Sequence, residues 1–218
     1  MELLSKIKAL LLEIIFPPVI LPKDIKINGT LFCGKCHARL PENKKICHRD
    51  WPYRLGAVTG YDNQAVREMI WRLKYSKKSG YAEPLAGVLA QAVGKIDLNW
   101  QKFTIVPIPL SRERLASRGF NQSELLSEKL AEKIGLSVDR NLLIRIKNTR
   151  PQVELEDHEQ RKNNVAGAFA ATGDAEKKNY ILIDDVSTSG ATMLEAAKTL
   201  KKAGARNIVG FVIALARK

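Results

Sequence analysis

Two adjacent carboxylates followed by a hydroxyl-rich turn are the residues of this sequence best suited to chemistry. Asp184 and Asp185 come directly after the apolar run 180–183. Ligands of open α/β sheets bind beyond the carboxyl ends of the strands, and a helix N-terminus offers free backbone N–H groups to anions. We therefore predict that the turn holds a phosphate, with the two carboxylates beside it for sugar hydroxyls or Mg²⁺. The turn and the start of the next helix comprise Ser187, Thr188, Ser189, Gly190, Ala191 and Thr192.

A second candidate group is basic and follows the apolar strand predicted at 103–108. Arg112, Arg114 and Arg118 lie within seven residues, in a predicted loop before the N-terminus of a helix. Arginine binds phosphate oxygens through paired hydrogen bonds. If this strand neighbours the one that ends at Asp184, the arginines reach the pyrophosphate end of the same ligand. They could equally contact a nucleic-acid backbone, or lie on an exposed basic surface.

All three cysteines, Cys33, Cys36 and Cys47, lie in one short segment. An odd number of clustered thiols does not fit a disulfide framework and favours a metal site. The segment has few apolar residues, so a structural Zn²⁺ would have to hold it together. Asp50 keeps the two-residue spacing, whereas His48 gives the more usual set of three thiolates and one imidazole. The candidates for a fourth ligand are therefore Asp50, His48 and His37, and the alternative is a segment without metal.

The elements that must position these residues follow from the apolar patterning. Alternation of short apolar runs with helical stripes predicts an α/β fold, with a mostly parallel sheet and helices on both faces. Residues 1–54 would hold an N-terminal helix at 1–16 and the cysteine segment, and residues 55–218 the α/β domain. Strands are predicted at 55–61, 103–108, 180–183 and 207–215. Helices are predicted at 65–74, 81–93, 121–134 and 190–202, with Asn121 as the N-cap of the third.

Composition and charge narrow the classes of function. The 218 residues include 36 Lys and Arg against 23 Asp and Glu, a net charge of +13 that favours anionic partners such as nucleic acid or phosphorylated metabolites. No apolar run is long enough for a transmembrane helix, and no signal-peptide pattern is present, so we expect a cytoplasmic protein. GxxxxGK[ST] and GxGxxG after a strand are absent, which argues against P-loop nucleotide hydrolysis and dinucleotide binding.

Residues 181–192 resemble the 5-phosphoribosyl 1-diphosphate (PRPP) motif of type I phosphoribosyltransferases. In that motif, hydrophobic residues precede two acids and a TTGxT-like loop, which here reads Thr188-Ser-Gly-Ala-Thr192. The resemblance implies that Asp184 and Asp185 face the ribose hydroxyls and that 188–192 cradles the 5-phosphate. The reaction it implies is attack at C1 of ribose while Mg-pyrophosphate leaves, so Mg²⁺ would accompany PRPP.

Pro107-Ile-Pro109 and Arg118-Gly-Phe-Asn-Gln122 resemble, more narrowly, the ComF family. Leu73-Lys74-Tyr75 and the segment 149–169 match two further parts of that family's pattern. The resemblance implies that Lys74 and Arg161 line the same anionic cleft. Members usually carry CxxC…CxxC in the N-terminal segment. This chain departs from the pattern, because Asp50 stands where the fourth cysteine would be.

Two functions follow from the resemblance, and both remain open on the sequence alone. One is a PRPP-binding protein of natural transformation, which handles incoming single-stranded DNA together with competence proteins. Aromatic residues in a basic cleft would stack on the unpaired bases, and the candidates are Trp51, Trp71 and Tyr75. The alternative is an active phosphoribosyltransferase of nucleotide or related metabolism with no role in DNA uptake, whose acceptor the sequence does not name.

Overall fold

Two nine-residue strands form the centre of the fold. Their sequences, NYILIDDVS and NIVGFVIAL, are rich in β-branched and apolar residues, as buried parallel strands require. The computed structural model describes residues 25, 27, 30–40, 48, 50–75, 79–149, 158–175 and 177–216. The predicted helix at 1–16 lies outside these residues.

The described elements alternate along the chain as predicted. The strands are β1 (Leu31–Cys33), β2 (Arg54–Gly60), β3 (Phe103–Pro107), β4 (Leu143–Arg145), β5 (Phe169–Ala171), β6 (Asn179–Ser187) and β7 (Asn207–Leu215). The helices are α1 (Gln64–Tyr75), α2 (Ala82–Gly94), α3 (Arg112–Arg118), α4 (Gln122–Ile134), α5 (His158–Val165) and α6 (Ala191–Lys202). Within the described part of the chain, none of these helices is long and apolar enough to cross a bilayer.

The main sheet has the strand order β1–β2–β7–β6–β3. Strands β2, β7, β6 and β3 run parallel to their neighbours, which confirms the predicted α/β fold with a mostly parallel sheet. β1 is antiparallel to β2, so part of the cysteine segment extends the main sheet. The division of the chain at residue 54 stays a prediction, although β1 and β2 pair across it.

Side chains of β6 alternate between two apolar clusters on opposite faces of the sheet. Tyr180 and Leu182 pack in the cluster that includes α6, and Ile181 and Ile183 pack in the cluster that includes α1, α2 and α4. This alternation is the period-two geometry of a strand that is covered on both faces. The carboxyl end of β6 is therefore held rigidly at the centre of the sheet.

Residues 112–118, predicted as part of a loop, form helix α3. The side chain of Ser111 accepts a hydrogen bond from the Arg114 backbone N–H, which caps the start of the helix. Gly119 ends it in the left-handed conformation, with a φ of 83°. The helical pattern was missed because this amphipathic run is short and strongly charged. The two-stranded sheet of β4 and β5 was also not predicted.

A glycine in β2 provides a test of the packing beneath the sheet. A Cβ added to Gly56 would lie 2.2 Å from Cε1 of Phe211, which is fully buried. We expect Gly56→Ala to lower the free energy of unfolding by roughly 1–3 kcal/mol, because a packed ring must move. Gly87→Ala is the matched control, since a Cβ there meets nothing within 4 Å. Because Gly87 lies in helix α2, this substitution should raise the free energy of unfolding by about 0.5–1 kcal/mol. Urea denaturation measures both, and equal effects would contradict the described packing.

Candidate functional site

The two adjacent carboxylates lie at the carboxyl end of β6 and are held by different partners. Asp185 is only 4% exposed, and Nζ of Lys74 donates to its Oδ1 over 2.9 Å. Oδ1 of Asp184 accepts hydrogen bonds from the Asp185 backbone N–H at 2.8 Å and from the Ser123 hydroxyl at 3.1 Å. Lys74 comes from the last turn of α1 and Ser123 from the first turn of α4. Three elements therefore meet at the acid pair.

The charges of this group depend strongly on one another. Burial and the neighbouring Asp185 carboxylate raise the pKa of Asp184 to about 7, against hydrogen bonds that act to lower it. Burial acts to lower the pKa of Lys74, but the attraction of Asp185 outweighs it and the pKa is raised. Lys74 therefore stays cationic and compensates a carboxylate that would otherwise be costly to bury.

The turn between β6 and α6 is closed by a left-handed glycine and by hydrogen bonds of its own. Gly190 caps α6 with a φ of 72°, and its carbonyl accepts from the Leu194 N–H at 2.8 Å. The Ser189 hydroxyl accepts from the Ala191 N–H at 3.4 Å. Among the described atoms, Oγ of Ser187 and Oδ2 of Asp185 are buried and have no hydrogen-bond partner. Such groups require a partner, and a bound ligand or water would supply it.

A cleft of about 580 Å³ opens in front of the acid pair and brings together residues that are far apart in the sequence. A much smaller cavity of about 20 Å³ lies within the turn. Eight of the residues singled out in the sequence line the cleft: Lys74, Tyr75, Arg114, Arg118, Asp184, Asp185, Thr188 and Thr192. Three others line the small cavity: Ser187, Gly190 and Ala191. Ser189 lies in the same turn.

Two predicted arginines are not placed in this cleft. Arg112 is exposed on the first turn of α3 and does not line the cleft. The reason is helical geometry, because the cleft-facing positions of α3 include Arg114 and Arg118, four residues apart. Arg161 falls within α5, but its side chain lies outside the described part of the structure.

Arg145 lines the cleft and was missed by the sequence analysis. Its Nη2 donates to the Thr149 hydroxyl, and Nη2 of Arg114 donates to the Thr149 carbonyl at 3.4 Å. Burial and the nearby Arg114 lower the pKa of Arg145 to about 10. Two guanidinium groups held this close would be stabilised by an anion between them. No motif marks Arg145, because the β4–β5 pairing that positions it was not predicted.

The short motif that begins at Arg118 has a structural role, which the hydrogen bonds of the segment Arg118–Ser123 reveal. Asn121 caps α4 by accepting from the Ser123 N–H at 3.0 Å, and its side-chain amide donates to the Ile108 carbonyl at 3.1 Å. The Arg118 guanidinium donates to Gln122 at 2.5 Å. The segment thus ties the end of β3 to α4 and carries Ser123 to the acid pair. The predicted N-cap at Asn121 is confirmed.

The cysteine segment brings three possible metal ligands together. One ligand atom each from Cys33, Cys36 and His48 lies within 4.8 Å of the others. Sγ of Cys33 is 3.3 Å from Nδ1 of His48. Asp50 is exposed and is not part of this cluster, and Cys47 lies outside the described residues. Two thiols and an imidazole are a donor set that suits Zn²⁺.

The same segment packs against the turn between β6 and α6. The buried Tyr53 hydroxyl donates to the carbonyl of Gly34, within the Cys33–Cys36 turn, at 3.1 Å. A Cβ on Gly190 would lie 3.2 Å from that hydroxyl and 3.7 Å from Nε2 of His37. Position 190 therefore favours glycine for two reasons, the left-handed φ and the close approach of the Tyr53 hydroxyl. The candidate metal site lies in the segment that packs behind this turn.

The raised pKa of Asp184 predicts a pH dependence of stability. Between about pH 4 and pH 7, the Asp184 carboxyl keeps its proton in the folded protein. In the unfolded chain the same carboxyl has an ordinary pKa of about 4 and releases the proton. The stabilisation from this group is thus full below about pH 4 and is lost as the pH rises through about 7. In urea denaturation across this range, Asp184→Asn should lack that loss, whereas the exposed control Asp97→Asn should keep it. Identical profiles for all three proteins would contradict the assignment.

Comparison with known proteins agrees with this geometry. The family model described as "Phosphoribosyl transferase domain" matches residues 84–218. The "DNA utilization protein YhgH" of Salmonella typhi is 31% identical, over 83% of this chain and 76% of that protein. "Competence protein F" of Haemophilus influenzae is 27% identical, over 84% of each chain. "Competence protein ComFC" of Streptococcus pneumoniae is 28% identical, over 87% of this chain and 78% of that protein.

Solved structures include a distant neighbour, the adenine phosphoribosyltransferase of Leishmania donovani. Its TM-score is 0.39 at 11% identity, and the match covers 74% of this chain and 84% of that chain. The family match and the relatives together span most of the sequence, including the acid pair, the turn that follows it and α4. The chain therefore belongs to the ComF family of proteins that carry a phosphoribosyl transferase domain.

Proposed function

We propose that the cleft binds PRPP together with Mg²⁺. The observation that carries this proposal is the acid pair at the end of β6, where the buried Asp185 Oδ2 and Ser187 Oγ lack partners among the described atoms, next to the turn that leads into α6. Residues 188–192 would hold the 5-phosphate through backbone N–H groups and hydroxyls, with the Ser187 hydroxyl beside them. Asp184 and Asp185 would bind the ribose hydroxyls. Arg114, Arg118 and Arg145 would bind the diphosphate.

The residues of the site also suit transfer of the phosphoribosyl group. Bond breaking at C1 of ribose builds positive charge on the sugar and negative charge on the leaving diphosphate. The acid pair would stabilise the sugar, and Lys74 would keep Asp185 in position. The cleft arginines would stabilise the leaving group, and bound Mg²⁺ would neutralise part of its charge.

We place this activity in DNA uptake during natural transformation, in the cytoplasm. The names of the relatives, DNA utilization protein and competence protein, support this setting. The net charge of +13 suits contact with single-stranded DNA. The alternative is a phosphoribosyltransferase of nucleotide or related metabolism, which the assembly of acids, turn and arginines in one cleft favours. PRPP binding is common to both.

We further propose that the cysteine segment holds one structural Zn²⁺. Cys33, Cys36 and His48 would be three ligands, and Cys47 is the fourth that the sequence offers. The bound metal would keep the Cys33–Cys36 turn in place behind Gly190, through Tyr53. Zinc would thus stabilise the phosphate-binding turn without entering the cleft.

PRPP affinity tests the assignment of the cleft. Calorimetric titration of PRPP with Mg²⁺ should show binding by the wild type, and Asp185→Asn should weaken it by roughly tenfold or more, as loss of a charged hydrogen bond predicts. Asp97→Asn is the matched control and should bind as the wild type does. Equal affinity in all three proteins would remove the acids from the site. Circular dichroism would verify that Asp185→Asn remains folded.

Metal content tests the zinc proposal. Metal analysis should find about one zinc per chain, as a single four-ligand site requires. His48→Ala should lose the metal, whereas Asp50→Asn should keep it, because Asp50 lies outside the cluster. The His48→Ala protein should also bind PRPP more weakly, since the turn behind Gly190 loosens. A wild-type protein that is folded and free of metal would contradict the zinc proposal.

A further inference from the structure

Two aromatic side chains are exposed side by side on helix α1. Trp71 and Tyr75 are each 59% exposed, and their ring centroids lie 5.6 Å apart with an interplanar angle of 45°. They are four residues apart and therefore occupy the same face of the helix. Large aromatic side chains that contribute only to the hydrophobic core are mostly buried, so this exposed pair has another role.

The core does not account for this pair. The buried face of α1 consists of Val66, Met69, Ile70 and Leu73, which pack in the apolar cluster beneath the sheet. Trp71 and Tyr75 lie on the opposite, exposed side of the helix. An adjoining pair of exposed rings is a typical feature of a binding surface.

The surroundings of the pair are cationic and adjoin the cleft. The Arg118 guanidinium carbon lies 5.3 Å from the Tyr75 ring centroid, and both residues line the cleft. Arg67 is exposed one turn before Trp71 on α1. Lys74, beside Tyr75, already neutralises Asp185. Cationic groups next to exposed aromatic rings are the combination that binds phosphates and bases together.

We propose that Arg67, Trp71, Tyr75 and Arg118 form an aromatic surface that binds unpaired bases of single-stranded DNA at the mouth of the PRPP cleft. Bases would stack on the two rings, and Arg67 would contact a flanking phosphate, while Arg118, which also reaches the cleft, would hold Tyr75 in place through its guanidinium group. Paired bases in a duplex cannot reach the rings, so the surface would select single strands. This inference deepens the proposed role in DNA uptake and does not require the phosphoribosyl group to be transferred.

Fluorescence anisotropy of a labelled oligothymidylate tests the proposal on the full chain. We expect the wild type to bind, and Trp71→Ala and Tyr75→Ala each to weaken binding roughly tenfold, as loss of one stacked base predicts. Trp71→Phe should retain most of the affinity, because a ring remains. Ile146→Ala is the control for loss of exposed apolar surface, since Ile146 is 58% exposed, and it should bind as the wild type does.

Further arms separate this surface from the PRPP site and from other ligands. Trp71→Ala should bind PRPP with unchanged affinity, because Trp71 does not line the cleft. Oligothymidylate binding that persists while PRPP binding fails would overturn the proposed PRPP site alone. Equal binding of duplex and single strand, or unchanged binding by both alanine variants, would overturn the aromatic surface. A wild type that binds no oligonucleotide but captures a protein through Trp71 would also overturn it.

Discussion

The pair between Lys74 and Asp185 is the interaction on which the site depends. A buried strand can end in two adjacent carboxylates only if something compensates their charge, because desolvation of two neighbouring anions is costly. Lys74 neutralises Asp185, and burial favours the protonated form of Asp184. The last turn of α1 must therefore reach the centre of the sheet. This requirement fixes where the cleft opens and which surfaces border it.

Two other parts of the chain are arranged around the same strand end. The Arg118–Ser123 segment joins β3 to α4 and brings Ser123 to Asp184. From the other side, Tyr53 links the Cys33–Cys36 turn to the close approach at Gly190. The described part of the cysteine segment thus packs behind the turn that follows β6. This packing gives a physical reason for a segment with clustered cysteine and histidine ligands to accompany a phosphoribosyl transferase domain that lies mainly further along the chain.

Much of the fold was predictable from the sequence, because its strands and helices carry strong apolar periodicity. The turn after β6 was also predictable, since acids, glycine and hydroxyls follow a buried strand directly. Arg145 was not, because its position depends on the pairing of β4 with β5, two short strands far apart in the sequence. Arg112 is exposed because of its position on helix α3. A charged segment of seven residues does not reveal which side of such a helix faces the cleft. The sequence could not show that His48, rather than Asp50, joins the cluster with Cys33 and Cys36, because only the folded chain brings His48 close to Cys33.

A crystal structure of the protein with Mg²⁺ and PRPP tests the central claim most directly. We expect the 5-phosphate at residues 188–192, the ribose hydroxyls on Asp184 and Asp185, and the diphosphate toward Arg114, Arg118 and Arg145. Lys74 should stay paired with Asp185, because the buried carboxylate still needs its cation. A ligand bound elsewhere, or one with its diphosphate in the turn and its 5-phosphate on the arginines, would contradict the account.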